Sequence, residues 1–362
     1  VETGTESGIF TGSFQVPTNY CWTDDAGANT ATDSVKTVTG TDMEVNYQDF
    51  RNASGESTEV GDGASINANT GTVAFDRTVY PVPYDDVNDV SEFKLHSTAG
   101  DSRLAQGDVV VHVRVTDADY NVSAQGEDTI TDANVTLTIE RGSYSQFLAT
   151  YGNTSAVATQ GITEVSPDSG VFEADITVTA TSGPENGCPS VFTGGCVLQG
   201  DIITVEYTDN YDASGKSQTV TDSATFDLRN GVLQSDKSVY LIGSDMILTL
   251  IEPDFDLDND GAQSVPLTLI EWDSDAKTTT LAGNVDGTVN AADAAAFDPE
   301  PSELRETGDS TGIFQVVIEI PETLGGEKLD RGEMIELEYT DWGPAGADYV
   351  GQEDEDIGLT VY

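Results

Sequence analysis

The stretch Asp256-Leu-Asp-Asn-Asp-Gly261 carries the sharpest ligand chemistry in the chain. Asp256, Asp258 and Asp260 alternate and then meet a glycine, and Asp254 adds a further oxygen just upstream. Calcium is a hard cation that takes six to eight oxygens at short range, and a glycine lets a loop bend tightly round it. Ionised carboxylates crowded at one bend repel one another unless a cation neutralises them. We therefore expect calcium at Asp254, Asp256, Asp258 and Asp260; the alternative is a solvated acidic loop.

Two other stretches invite the same reading. Asp117-Ala-Asp-Tyr-Asn121 occupies the matching place in the preceding part of the chain, which makes Asp117, Asp119 and Asn121 candidate ligands. The Asp256 loop matches the first half of an EF-hand-type loop, but Leu267 stands where the closing bidentate Glu belongs. Gly283-Asn-Val-Asp-Gly-Thr-Val-Asn-Ala-Ala-Asp293 looks like a dockerin-type calcium loop. Asn284, Asp286, Gly287, Asn290 and Asp293 fit that pattern and a helix-like alanine run follows, although the first ligand position is Ala282. The resemblance covers one loop and implies at most a third calcium site.

Other chemistry is sparse. His96 stands in a polar stretch, and His112 alternates with the valines of Val109–Val115, which sends it away from the buried face and toward solvent. There is no glycine-rich phosphate loop and no nucleophile elbow, and among so many acids a carboxylate pair is uninformative; we expect no enzyme. Trp22, Trp272 and Trp342 are isolated and read as packing or interface residues. Cys188 and Cys196 bracket a short loop; a disulfide there would imply an oxidising compartment, the alternative being two free thiols. Cys21 is left over, free or paired with another chain. Asn52, Asn121, Asn134 and Asn153 head glycosylation sequons, about as many as chance supplies in a chain this rich in Ser and Thr.

The elements that must position these residues repeat. A polar turn ending in Gly, an aliphatic residue and Phe occurs at Phe10, Phe172 and Phe314, each followed by the period-two alternation of a half-buried strand. A Tyr strand follows each turn: Met43-Glu-Val-Asn-Tyr-Gln-Asp49, Ile203-Thr-Val-Glu-Tyr-Thr-Asp209 and Ile335-Glu-Leu-Glu-Tyr-Thr-Asp341. Closing strands near Ile66, Phe226 and Leu359 come next. An opening strand ending in acids appears only twice, before the Phe172 and Phe314 turns. The expected organisation is half a domain over 1–69, a whole one over 70–230, and a whole one over 231–362 with an inserted calcium-loop-like segment. Half the strands cannot bury a two-sheet core. The chain is thus expected to be a fragment of a longer protein, or else a neighbouring subunit supplies the missing strands.

Composition bounds the rest. The 362 residues include 65 acids and 14 Lys or Arg, a net charge of −51. Such a field repels nucleic acid and anionic membranes and attracts cations; it also fits adaptation to high salt. No apolar run approaches the ~20 residues that span a bilayer. Abundant Gly, Asp, Thr and Ser between short β-branched runs is the composition of turn-rich sandwiches, and the one helix expected is Asn290–Phe297.

Together, the turns ending in Gly-Ile-Phe, the Asp-x-Asp bends and the repeated Tyr-x-Asp strands resemble the S-layer proteins of ammonia-oxidising archaea. That resemblance implies an all-β chain of tandem Ig-like β-sandwich domains. It implies an extracellular location and a calcium-dependent lattice or filament of identical chains, a porous negative coat that concentrates cations. Such proteins are usually much longer than this chain. The competing reading is a secreted adhesin or carbohydrate-binding tandem module, which needs an exposed aromatic patch or a pocket at its distal tip.

Overall fold

The computed structural model describes residues 1–14, 16–17, 19–22, 34–37, 39–84, 107–130, 134–151, 161–178, 197–285 and 288–362. The chain is all-β and built as tandem β-sandwiches. Cys188, Cys196, His96, Asn153 and Asp286 lie outside the described residues.

Alternation sets the two cores. In the opening strand Val109–Thr116 every second residue, Val109, Val111, Val113 and Val115, is buried. It pairs antiparallel with Val171–Val178, Phe172 opposite Val115. In one sheet the order is Thr72–Phe75, Val109–Thr116, Val171–Val178, Ile162–Glu164, Thr129–Ile130. The facing sheet runs Tyr144–Tyr151, Val135–Arg141, Ile202–Asp209, Gln218–Asp227, Val79–Pro81, the last pair parallel. The two inner faces enclose a core running from Val73 to Leu228.

The C-terminal sandwich repeats the plan. Asp245–Ile251 pairs with Ile313–Glu319, and Phe314 lies opposite Leu250. Val232–Ser235, Glu300–Glu306 and Ser264–Val265 complete that sheet. Ile335–Asp341 pairs with Glu355–Val361 and with Ile270–Asp273, and Thr279–Thr280 closes the edge. Trp272 is fully buried and meets Phe297 edge-on at 5.1 Å. Trp342 is buried as well. The helix forms over Ala291–Ala296, capped by the Asn290 side chain.

The Tyr strand keeps one register in all three copies: Tyr47 opposite Val60, Tyr207 opposite Val220, Tyr339 opposite Ile357. Burial does not keep step. Tyr207 and Tyr339 are 0% and 1% exposed, whereas Tyr47 is 67% exposed. Phe172 and Phe314 are fully buried, whereas Phe10 is 73% exposed. The strand expected after Phe10 is absent among the described residues 11–14, where only the bridge between Glu2 and Phe10 forms. In the other copies this run pairs with an opening strand, and none of the described residues supplies such a strand to the run after Phe10.

Each turn glycine adopts a positive φ: Gly8, Gly170 and Gly312 at 66°, 63° and 59°. A Cβ on Gly312 would also stand 2.9 Å from the Pro253 Cα. Gly312→Ala should therefore cost about 2–3 kcal/mol in urea unfolding, combining φ strain with a backbone clash. Gly261→Ala, with normal φ and open space around its Cβ, should stay within about 0.5 kcal/mol.

Candidate functional site

Both complete units bend the chain at the same point. The opening strand ends in a buried acid, Asp117 in one unit and Glu252 in the other, each capping a single 3-10 turn through the N–H two residues on. The Tyr207 hydroxyl donates to Asp117 at 2.5 Å, and the Tyr339 hydroxyl donates to Glu252 at 2.8 Å. Glycine covers each pair: a Cβ on Gly71 would lie 2.5 Å from the Tyr207 ring, and one on Gly231 would lie 2.5 Å from the Glu252 carboxylate. The acid ending each Tyr strand clamps that glycine, Asp209 accepting from Gly71 N–H at 2.9 Å and Asp341 from Gly231 N–H at 2.8 Å. A third acid organises each turn: Glu2, Glu164 and Glu306 accept from the N–H of Gly8, Gly170 and Gly312 at 2.8, 2.7 and 2.8 Å.

Sequence reasoning singled out none of Glu252, Glu164, Glu306, Asp209 and Asp341. The signal was present, because an acid stands six residues before each turn glycine and Glu252 aligns with Asp117. Burial drives the titration here. It pushes Glu252 well up, helped by the charges of Asp254 and Asp341, and raises Asp254 to about 7 against the pull of Arg229. Burial likewise raises Asp117 against the Tyr207 hydroxyl.

The Asp256–Gly261 loop is a seam between the two sandwiches. The Arg77 guanidinium donates to the Asp256 carbonyl at 2.7 Å and stands 3.3 Å from its carboxylate. His112 Nε2 lies 3.0 Å from Asp258, and Asn259 donates to Asp76. Val110 N–H donates to the Leu257 carbonyl at 2.9 Å, and the Leu257 side chain packs on both cores. His112 is thus off the buried face, as alternation requires, but not in solvent: its side chain is 13% exposed because the neighbouring unit covers it. Arg114 does keep its solvent contact, paired with Glu173.

The candidate ligands have separate partners. Asp254 meets Arg229, Asp256 meets Arg77 and Ser310, and Asp258 meets His112, so the four loop acids do not converge on one point. Gly261 needs no special backbone angle. Asp117 is taken by Tyr207; Asp119 accepts from Asn69, and Asn121 donates to Asp168. Asn290 caps the helix, while Asp293 accepts from Lys277, Asn290 and Gly325 N–H. Asn284 lies in a short strand, Asn284–Val285. Among the described residues, the group of acids and histidine whose ligand atoms lie within 4.8 Å of one another is His112, Asp175 and Asp260. Of the sequon residues, Asn52 accepts from Ser54 and Glu56 N–H in its turn, and Asn134 donates to Tyr120.

A second acidic feature lies on the outer face of the last sheet. Glu271 stands opposite Glu338, and Asp273 opposite Glu336. Like charges directly opposed across strands destabilise a sheet. Burial, then Glu338, Asp273 and Asp356, raises Glu271 to about 7.

No protein-family model matches the chain, and no curated protein matches it. Solved structures align with it at low identity. The adhesin InvE of Yersinia pseudotuberculosis is 14% identical, over 82% of this chain and 60% of its own, with a TM-score of 0.21. The S-layer protein rSbsC is 11% identical, over 91% and 46%, with a TM-score of 0.17. A glycosyl hydrolase family 2 member from Bacteroides cellulosilyticus is 9% identical, over 81% and 29%, with a TM-score of 0.20. The chain therefore spans less than two thirds of each of these three. Scores of this size carry no argument about function.

Two outcomes follow from the seam and the acidic face. Arg77→Ala strips the buried Asp256 of its cation and should cost about 3 kcal/mol, separating the unfolding of the two units in urea; Arg77→Ala with Asp256→Ala should recover part of that loss. Glu271 holds its proton more tightly folded than unfolded, so its contribution is full below its ordinary 4.5 and is lost as pH rises through about 7. Glu271→Gln should flatten melting temperature against pH between these values and stabilise the chain at pH 8 by on the order of 1 kcal/mol, the shift being discounted for solvent screening.

Proposed function

We propose that the chain is a structural cell-surface protein, part of a calcium-stabilised S-layer or extracellular filament of identical chains. The observation that carries this reading is the first unit. Its turn and Tyr strand repeat the pattern of the other two, yet Phe10 and Tyr47 are exposed where Phe172, Phe314, Tyr207 and Tyr339 are buried. A face patterned for burial is completed either by more of the same polypeptide or by another chain, and both fit a tandem surface array. The tandem repeat, the net charge of −51 and the motif resemblance to S-layer proteins of ammonia-oxidising archaea support the same reading. Calcium enters as the counter-ion of the outward carboxylates, such as the Glu271 and Glu338 pair, rather than as the organiser of the Asp256–Asp260 bend, whose acids already face Arg77 and His112.

The exposed aromatics also favour the alternative, a secreted adhesin whose first unit stacks on sugar rings. The two readings separate in one preparation. Electron microscopy in millimolar calcium should show sheets or filaments that disperse when a chelator is added. Dispersed particles at saturating calcium, together with glycan binding lost on Tyr47→Ala, would favour the adhesin and end the lattice reading.

A further inference from the structure

His112 has a carboxylate at each ring nitrogen. Nε2 lies 3.0 Å from Asp258 Oδ1, and Nδ1 lies 2.8 Å from Asp175 Oδ1 and 3.9 Å from Asp260 Oδ2. An ionised carboxylate only accepts, and a neutral imidazole has one N–H to give. Once Nε2–H serves Asp258, the Nδ1 lone pair faces the lone pairs of Asp175, and the arrangement lacks one cation. Nearby charge does not fill that place. Arg77 is directed at Asp256 and Asp76, Arg114 is paired with Glu173, and Asp76 adds negative charge at the His112 backbone N–H.

We propose that Nδ1 of His112, with Asp175 and Asp260, forms a site for a divalent transition metal of zinc's class. A tetrahedral ion with bonds of 2.0–2.1 Å sets its ligand atoms about 3.3 Å apart. The two separations from Nδ1, 2.8 and 3.9 Å, bracket that spacing. Asp258 fixes the ring from behind through Nε2, the carboxylate–histidine–metal arrangement that orients a ligand imidazole. A nitrogen ligand and a small oxygen set suit zinc and exclude calcium as the resident ion. The Asp175 and Asp260 side chains are 64% and 77% exposed, which leaves an entry path and freedom to close on the ion. His112 and Asp175 belong to the middle sandwich and Asp260 to the C-terminal one. The ion therefore joins two units, a role separate from assembly between chains.

The test is calorimetric titration of the metal-free chain with zinc chloride, in calcium excess to occupy oxygen-only sites. One site per chain is expected. His112→Gln should weaken it at least about 100-fold and Asp258→Asn about 10- to 100-fold, while Glu327→Gln, at an exposed position with no part in the site, leaves it unchanged. Asp260→Asn alters an exposed side chain and keeps the test independent of folding; it should also weaken binding. A second readout is amide exchange at Val110, whose N–H crosses the seam and should exchange more slowly with zinc. Zinc affinity unchanged by His112→Gln and Asp260→Asn overturns the site. So does absence of zinc binding, which would leave a proton as the cation between the ring and Asp175.

Discussion

Each complete unit turns on a carboxylate withdrawn from water at the end of its opening strand and met by a tyrosine hydroxyl from the facing sheet. Such a group is costly to bury unless donors surround it. The surrounding structure is arranged to supply them. The Tyr strand must run in one register so that its ring reaches across the core. The residue above the ring must be glycine, since a side chain there would strike either the ring or the acid. The turn that follows must present its carbonyl to the acid's own N–H, from Asp117 to Gly170 at 2.9 Å and from Glu252 to Gly312 at 2.8 Å. The first unit has the turn and the Tyr strand, and its tyrosine lies open.

The same logic governs the few basic residues. With 65 acids and 14 Lys or Arg, 51 acids remain over however pairs are drawn. Several of the cations sit against acids that have left water: Arg141 against Asp201, Arg229 against Asp254, Arg77 against Asp256, Lys277 against Asp293. Breaking such a pair strands a buried charge, whereas a surface pair contributes little. Other cations, Arg114 and Lys237 among them, stay exposed, and the outside carries the excess of acids. Solubility and attraction of cations follow from that distribution rather than from the total alone.

Much of the fold was legible because strands declare themselves by alternation and turns by glycine. The repeats of Phe172 with Phe314 and Tyr207 with Tyr339 marked both sandwiches. The role of the acids was not legible. Asp-x-Asp-x-Asp-Gly is the same string whether it encircles an ion or lies along a neighbour, and the deciding partners, Arg77 and His112, stand 179 and 146 residues away. Alternation placed His112 off the core face correctly, but no local pattern says that a second unit covers that face. Glu252 was passed over because it matches Asp117 in position and not in type; the strand pairing that puts Val115 and Leu250 opposite the two turn phenylalanines makes the equivalence plain.

The joint between the two sandwiches is short. Leu228 belongs to one core, and Gly231 is already held by Asp341 of the other. Arg229, between them, donates to Asp254. A chain pulled from its ends would find no slack here. Tension would load the glycine–aspartate clamps before any strand could slide, so the two sandwiches would act under load as a stiff tie rather than as beads on a string.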